Sequence, residues 1–204
     1  MSYDIYLKDR VSDEVIQLPF AHVMTGGTYA ADYDPMTGQF TAKPIRDAHL
    51  NVTYNYGSYY YEATDGDPRF GHDEVSAYYA DGTRGPMVTE YGIRGIYGKT
   101  GAESIELLNH IINFIIQKYQ KDGEWISTMH KKVRYRLKST NEEIDFNEYL
   151  HLGHDKAYAE EYEELVNEGP DEDYWEPTAG NALKPLYQLL TMAQLRPDGV
   201  WGGD

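Results

Sequence analysis

Two short histidine-containing segments carry the residue types that bind metal ions. His151, His154 and Asp155 lie within five residues of one another, and His72 is followed directly by two carboxylates. Imidazoles and carboxylates are common ligands of zinc and other transition metals. The order does not match H-E-x-x-H, in which two histidines lie one helical turn apart, and Gly153 with Asp155 is typical of a loop before a helix. We therefore assign no metal site and no cofactor.

No side chain is identified as a catalytic nucleophile. The chain contains no cysteine, which excludes thiolate catalysis, disulfides and cysteine-ligated zinc. The G-x-S-x-G turn that exposes the serine of many hydrolases does not occur in the sequence. Acid–base pairs formed by residues distant in sequence stay open, so no catalytic residue is assigned and enzyme activity is undecided.

A glycine-rich turn before a long apolar segment is the part of the chain most like a phosphate-binding loop. Gly98, Lys99 and Thr100 resemble the end of a Walker A motif, but position 93, where that motif needs glycine, is Ile93. The free amides of a helix start, with Arg94 and Lys99 nearby, would still attract an anion. Glycine and threonine are also the ordinary residues for ending a turn and capping a helix.

A strand with one polar face provides a second candidate ligand site. Between Ala48 and Tyr56, apolar residues alternate with polar ones, which predicts a half-buried β-strand. Short polar side chains on a rigid strand hold donors and acceptors in fixed positions, as a ligand site requires. The same pattern is typical of an antiparallel sheet with one solvated face. The candidate ligand-binding residues from the strand and the turn are His49, Asn51, Asn55, Arg94 and Lys99.

The strongest structural signal is the helix that follows the glycine turn. Thr100 and Glu103 form an S/T-x-x-E capping box, and the apolar residues from Ile105 to Tyr119 cover more of the helix than a surface helix needs. We expect this helix to be largely buried. Weaker patterns predict an N-terminal hairpin over residues 3–18 and a second hairpin within 133–147. They also predict an acidic helix from Asp155 to Asn167. A last helix is expected to begin at Thr178 or Asn181 and to contain Pro185.

Charge is strongly polarised along the chain. The net formal charge is −16, and residues 142–176 contain 14 acidic residues and a single lysine, directly after a basic segment at 118–138. Such a chain is not expected to bind nucleic acid or an anionic membrane directly. It also has no apolar run long enough to span a membrane.

The acidic segment has two interpretations. It is either a solvated surface that aids solubility or a binding surface for a basic protein, because spaced carboxylates imitate the phosphates of a nucleic acid. The candidate partner-binding residues are Glu160, Glu161, Glu163, Glu164, Glu168, Asp171 and Asp173.

Short segments with a distinctive order run through the chain. They are residues 2–7 (SYDIYL), 26–29 (GGTY), 50–56 (LNVTYNY), 92–104 (GIRGIYGKTGAES), 173–175 (DYW), 180–182 (GNA) and 196–201 (RPDGVW). Together they resemble a family of small bacteriophage and prophage proteins with no assigned activity. The resemblance implies a phage origin and a host cytoplasm setting. Compact members of that family lack the equivalents of residues 57–91 and 117–172, which would therefore be insertions here.

We predict an α+β fold in one domain, residues 1–204. A small antiparallel sheet is covered by a buried central helix and a C-terminal helix, with a loop-rich insertion at 57–91 and a charged hairpin-helix insertion at 117–172. The expected function is that of a phage-encoded, non-enzymatic interaction protein or inhibitor, whose acidic surface binds a basic host protein such as a defence nuclease or polymerase. The alternative is a small-ligand or nucleotide-binding protein, or an enzyme, that uses the polar strand face and the Arg94/Lys99 turn. Residues 54–61, the tyrosine-rich segment, contain five tyrosines. Homo-oligomerisation through the tyrosine-rich excursion at 57–91 is a further expectation.

Overall fold

Alternating residues at the start of the chain form the central strand of the main sheet. In the computed structural model, which describes residues 2–23, 31–65, 67–70, 92–137, 143–144 and 157–203, strand β1 (Ser2–Lys8) buries Tyr3, Ile5 and Leu7. These residues share a face because successive side chains of a strand point to opposite sides. Strand β1 pairs antiparallel with β6 (His49–Thr53) on one side, as predicted, and with β12 (Val200–Gly203) on the other.

Further strands form small antiparallel pairs. The predicted N-terminal hairpin is only partly correct. The chain returns beside β1 through a bridge between Lys8 and Val15 and a hydrogen bond from the Ile16 amide to the Leu7 carbonyl, but the next strand turns away to a different partner. The pairs are β2 (Gln17–His22) with β5 (Ile45–Asp47), β3 (Ala31–Asp34) with β4 (Gln39–Ala42), and β7 (Gln120–Lys121) with β8 (Glu124–Trp125).

The tyrosine-rich segment is helical rather than loop-like. Residues Tyr54–Tyr56 form a 3₁₀ turn, so the predicted strand ends at Thr53 instead of Tyr56. The turn continues into helix α1 (Gly57–Thr64), so the expectation of loop structure is wrong for that range. The rest of that expectation, at 71–91, lies outside the described residues. Tyr60 is fully buried, and its hydroxyl donates to the Ala182 carbonyl at 2.9 Å. A buried ring whose hydroxyl finds a carbonyl satisfies both parts of the side chain, and turn-forming glycines nearby concealed this pattern.

The central helix is the one that the capping box predicted. Helix α2 (Gly101–Tyr119) begins at Thr100, whose hydroxyl accepts from the Glu103 amide while the Glu103 carboxylate accepts from the Thr100 amide. Its Ser104 hydroxyl accepts a 2.8 Å hydrogen bond from the Trp201 indole, which ties α2 to β12. The expectation of burial is confirmed by the residues that are at most 4% exposed: Leu107, Leu108, Ile111, Ile112 and Ile115.

The last helix, α3 (Ala179–Leu195), packs against α2 and starts at the first of the two predicted caps. Thr178 accepts a hydrogen bond from the Asn181 amide. Pro185 lies inside the helix, and because proline has no amide hydrogen, the Asn181 carbonyl loses its usual helical partner. In the described part of the chain, these small antiparallel sheets and three α-helices make an α+β fold, as predicted.

The chain divides into two units, Met1–Glu124 with Gly169–Asp204, and Trp125–Glu168. The second unit contains a sheet with the order β10 (Glu143–Ile144), β9 (Ser127–Leu137), β11 (Ala157–Asn167). The predicted charged hairpin is present, with Glu143 opposite Arg136.

The predicted acidic helix is wrong, because Ala157–Asn167 is a strand paired antiparallel with Ser127–Leu137 along its whole length. Tyr158, Tyr162 and Val166 are spaced by four residues. A spacing of four places residues on one side of a helix and also on one side of a strand, so it does not distinguish a helix from a strand. The pairing partner, which lies about 30 residues earlier in the chain, decides the structure.

Candidate functional site

Two candidate ligand residues, His49 and Asn51, lie on the polar face of the main sheet. Asn51 is 5% exposed and donates to Ser2 Oγ and Asp4 Oδ1, each at 2.8 Å. The His49 Nε2 atom lies 3.2 Å from the same Asp4 oxygen, and Asp4 is the register partner of Asn51. These bonds join β1 to β6, so both side chains already have a structural role in the sheet.

Arg94 belongs to a different cluster, made of tyrosines. Its guanidinium carbon lies 4.8 Å from the ring centroid of Tyr3 and 5.4 Å from that of Tyr54. Its terminal nitrogens donate to the hydroxyls of Tyr61 at 3.2 Å and Tyr54 at 3.0 Å. Burial alone lowers the pKa of Arg94, but the surrounding tyrosine hydroxyls outweigh it and raise the pKa, so the side chain stays charged. The cation stabilises this aromatic cluster.

Lys99 and Asn55 lie in two further places. The Lys99 carbonyl accepts a 2.9 Å hydrogen bond from the Trp201 amide, which connects the glycine turn to β12. The Asn55 side chain donates to the Trp175 carbonyl at 2.7 Å. The five candidate ligand residues therefore occupy several parts of the first unit, and ligand binding by them stays a prediction.

Two cavities of the first unit are lined by other residues. One has a volume of about 180 Å³ and lies between β2 and α3. The other, of about 360 Å³, lies beside Tyr6, Lys8 and Gly202. Neither is lined by any of the five candidate ligand residues.

Residues 171–176, which we call the acidic loop, combine charge with an exposed aromatic ring. Asp171, Glu172, Asp173 and Glu176 are all exposed. Trp175 is 46% exposed, and its ring centroid lies 4.6 Å from that of Tyr174. Partial burial, with a smaller effect of the Asp173 carboxylate, raises the pKa of the Tyr174 hydroxyl. The loop thus presents a large apolar surface surrounded by carboxylates.

Side chains from the tyrosine-rich segment hold the carbonyl oxygens of this part of the chain. Tyr56 donates its hydroxyl to the Tyr174 carbonyl, and Tyr59 donates to the Pro177 carbonyl at 2.5 Å. Asn55 binds the Trp175 carbonyl, as described above. Burial raises the pKa of the Tyr56 hydroxyl, which keeps it protonated as a donor. These bonds fix the backbone of the loop, while its four carboxylate side chains stay exposed.

Asn181, in the first turn of α3, organises the loop from the other side. Its side-chain nitrogen donates to the carbonyls of Asp173 at 3.0 Å and Glu176 at 3.1 Å. Its side-chain oxygen accepts from the Asp171 amide at 2.9 Å and from Lys184 Nζ at 2.8 Å. These bonds use both hydrogens and both lone pairs of the amide. The residue is fully buried.

Two loop carboxylates also shape the loop. Asp171 Oδ1 accepts from the Asp173 amide at 2.8 Å, and Asp173 Oδ1 accepts from the Trp175 amide at 3.0 Å. Such bonds to an amide two residues later are Asx turns. They leave both residues exposed, so Asp171 and Asp173 are the candidate partner-binding residues that the structure places on an open surface of the first unit.

The other candidate partner-binding residues have different positions. Glu168, at the end of β11, is 4% exposed and accepts a hydrogen bond from the Thr128 hydroxyl. The remaining four lie on β11, whose backbone is in register with β9. The register partners are Glu160 with Arg134, Glu161 with Val133, Glu163 with Lys131, and Glu164 with His130.

This pairing changes the interpretation of the acidic segment. The second unit has ten acidic and six basic residues, so it carries a formal charge of only −4 out of −16. Most of the excess negative charge therefore belongs to the first unit.

Sequence reasoning did not identify the residues that hold the acidic loop. In the sequence, Tyr56 and Tyr59 stand out only as members of the tyrosine-rich segment, and Asn181 only as a possible helix cap. The spacing of Asp171, Asp173 and Trp175 is the available signal, because consecutive Asx turns predict an ordered loop. Tyr56 and Tyr59, however, lie about 120 residues before the loop, and no local pattern indicates a contact over that separation.

Among the residues that the structure describes, no group of three or more histidine and acidic residues is arranged to hold a metal ion. Within the same residues, no helix combines the length and the apolar character that crossing a bilayer requires.

Comparisons with protein-family models, with curated proteins and with solved structures find no match to this chain. The resemblance to phage proteins therefore stays a prediction.

Proposed function

We propose that this protein is a non-enzymatic interaction protein that binds a basic partner protein through the acidic loop. The observation that carries the proposal is an exposed Trp175 ring and four exposed carboxylates in one short loop, whose backbone is held by side-chain hydrogen bonds. The resemblance described above supports a phage origin, with the partner in the bacterial host cytoplasm. A nuclease or polymerase with a basic nucleic-acid groove fits this surface, and the protein would then act as its inhibitor.

The arrangement matches the anatomy of protein interfaces. Binding energy is concentrated in a few residues, most often tryptophan, tyrosine and arginine, surrounded by polar residues that exclude water from the centre. Trp175 provides such a centre, and the carboxylates provide a charged rim. The rim charges increase the rate of association with a basic partner and make it depend on salt.

Order in the free protein strengthens the proposal. A loop that is already fixed loses little conformational entropy when it binds. The acidic loop is fixed by Tyr56, Asn55 and Asn181, whose side chains donate to its backbone carbonyls. None of these three residues is charged. The net formal charge of −16 adds a general attraction for basic partners.

The test is an affinity capture from bacterial lysate with the full-length chain, at low and at moderate salt. Wild type is compared with Trp175→Ala and with the double variant Glu172→Gln/Glu176→Gln. The two glutamates are chosen because Asp171 and Asp173 also hold the loop backbone. Matched controls are Phe20→Ala, which removes an aromatic ring of equal exposure, 46%, elsewhere, and Glu14→Gln/Glu124→Gln, which removes the same charge from other exposed positions.

We expect a basic protein that is retained by the wild type and by both controls. Trp175→Ala should weaken its binding about 30-fold, which corresponds to about 2 kcal/mol, the usual threshold of a hot-spot residue. The double glutamine variant should weaken binding mainly at low salt, because it removes a screened, long-range attraction. Retention of the same proteins by all variants, or by none, would contradict the proposal.

A further inference from the structure

An apolar groove separate from the acidic loop lies between β2 and α3. Its volume is about 180 Å³, which is below the range of about 300–1,000 Å³ typical of drug-sized ligands. Alternate residues of the strand form one wall, and residues one helical turn apart form the other. The lining residues are Leu18, Phe20, His22, Tyr187, Gln188, Thr191, Met192 and Leu195.

The groove exposes apolar surface to solvent. Phe20 is 46% exposed, Tyr187 is 47% exposed and Leu195 is 39% exposed, while Leu18 and Met192 at its base are buried. The described lining residues include no carboxylate, lysine or arginine. An occupant that fits these walls is therefore apolar over most of its surface and carries no charge.

Two hydrogen-bond acceptors of the lining residues lack a donor among the described residues. The His22 Nε2 atom lies 2.8 Å from the Asp47 carbonyl. Because a carbonyl can only accept, Nε2 carries a hydrogen, and in the uncharged form of the ring Nδ1 is an acceptor. The Gln188 side-chain nitrogen donates to the Val23 carbonyl at 2.8 Å, which fixes its oxygen as the acceptor. Both His22 Nδ1 and Gln188 Oε1 are buried and have no partner in the described part of the chain.

An unsatisfied buried acceptor is costly, at about 1–3 kcal/mol for each group. A ligand that enters the groove and donates a hydrogen bond removes part of this cost, in addition to covering the exposed rings. Gln188 is half-buried and lines the groove, so we expect a bound donor to reach its oxygen through a change of side-chain rotamer. The groove is therefore complementary to an apolar molecule with one donor.

We propose that this groove binds a small, uncharged, planar aromatic molecule that carries an N–H or O–H donor. The ring lies between Phe20 and the α3 residues Tyr187 and Leu195, where aromatic and aliphatic contacts add to apolar burial. The donor is directed to Gln188 Oε1. This site is independent of the acidic loop, and its failure would leave the function proposed above untouched.

The experiment is a titration of the full-length protein with indole and with benzothiophene, followed by ¹H–¹⁵N NMR and calorimetry. Benzothiophene has nearly the same shape as indole but has sulfur in place of the N–H group. We expect both to shift amides of β2 and α3, with indole binding about five- to tenfold more tightly, as one hydrogen bond allows.

Variants separate the donor contact from the fit of the groove. Gln188→Met keeps the side-chain length and removes an acceptor, so the preference for indole should shrink to about twofold or less. Thr191→Phe adds a ring to the groove from an exposed position, and should abolish binding of both probes. Gln194→Phe adds the same ring at an exposed position of α3 that does not line the groove, and binding should be unchanged. Equal affinity for the two probes, no binding of either, or binding that survives Thr191→Phe would overturn the proposal.

Discussion

Replacement of Asn181 tests whether one buried amide holds the acidic loop. Asn181→Ala removes four hydrogen bonds, to the Asp171 amide, the Asp173 and Glu176 carbonyls, and Lys184 Nζ. At a net value of about 1 kcal/mol for each bond, the free energy of unfolding falls by up to about 4 kcal/mol. The partners lie in an exposed loop and regain water when the amide is removed, so we expect a loss of about 2–4 kcal/mol.

Asn181→Asp separates the donor role of the side chain from its shape. A carboxylate has the same size as the amide, but it cannot donate to the Asp173 and Glu176 carbonyls and places a charge in a fully buried position. We expect burial and the two facing carbonyls to raise the pKa of this carboxyl in the folded state above its value in the unfolded chain, against the opposing effect of the Lys184 ammonium 2.8 Å from the same position. The folded state therefore loses stability as the pH rises through that range, and the variant should be more stable near pH 4 than at pH 7, relative to wild type at each pH.

Urea unfolding followed by circular dichroism measures these differences, and amide hydrogen exchange at residues 171 and 173 reports the loop directly. Asn113→Asp, at an exposed position of α2, is the matched control and should change stability by less than about 0.5 kcal/mol. If Asn181→Asp were as stable as wild type at pH 7, the amide hydrogens would not be bound to the loop carbonyls, and the account of the loop would be refuted.

Three further predictions concern other parts of the fold. Tyr60→Phe removes the hydroxyl that binds the Ala182 carbonyl at 2.9 Å and should cost about 1–2 kcal/mol in urea unfolding, whereas loss of the exposed Tyr187 hydroxyl should cost almost nothing. The side chain and the backbone amide of Arg69 hold the pKa of Asp67 at about 2. In Arg69→Gln, we expect NMR titration to show this pKa moving up towards the ordinary value of 3.8. The stabilisation of the fold by ionised Asp67 is present above about pH 4, and as the pH falls it should be lost at a higher pH than in wild type. Gly180→Ala should lower the melting temperature sharply, since its Cβ would lie 2.2 Å from the Pro170 nitrogen; an unchanged melting temperature would show that this contact is absent.

The parts of the fold that follow local rules were predictable from sequence. The capping box located the start of α2 at Thr100, because both of its hydrogen bonds form within four residues. Alternation identified β1 and β6, whose apolar residues lie in the core, although Asn51 and Thr53 on the polar side of β6 are buried as well. The hairpin that places Glu143 opposite Arg136 was predictable for the same reason, because the paired residues lie only seven positions apart in the sequence.

Other parts depend on distant partners and could not be read locally. Strand β11 has a residue spacing that suits a helix, and only its pairing with β9 makes it a strand. Strand β12 has few apolar residues, and its position is set by β1, almost 200 residues earlier. The acidic loop is likewise organised by Tyr56 and Asn181 together. An acidic composition indicated a binding surface, but not which carboxylates would be exposed.

The pairing of β1 with β12 has a consequence for synthesis of the protein. Ile5 lies opposite Gly203, and the buried Trp201 closes the core against Ser104. During synthesis, the edge of β1 that pairs with β12 stays unpaired until residues 200–203 leave the ribosome, whereas the other edge can already pair with β6. The three-stranded sheet is therefore complete only after Trp201 has emerged. A chain truncated before Val200 lacks both the third strand and the core tryptophan, so we expect it to be less stable than the whole sequence.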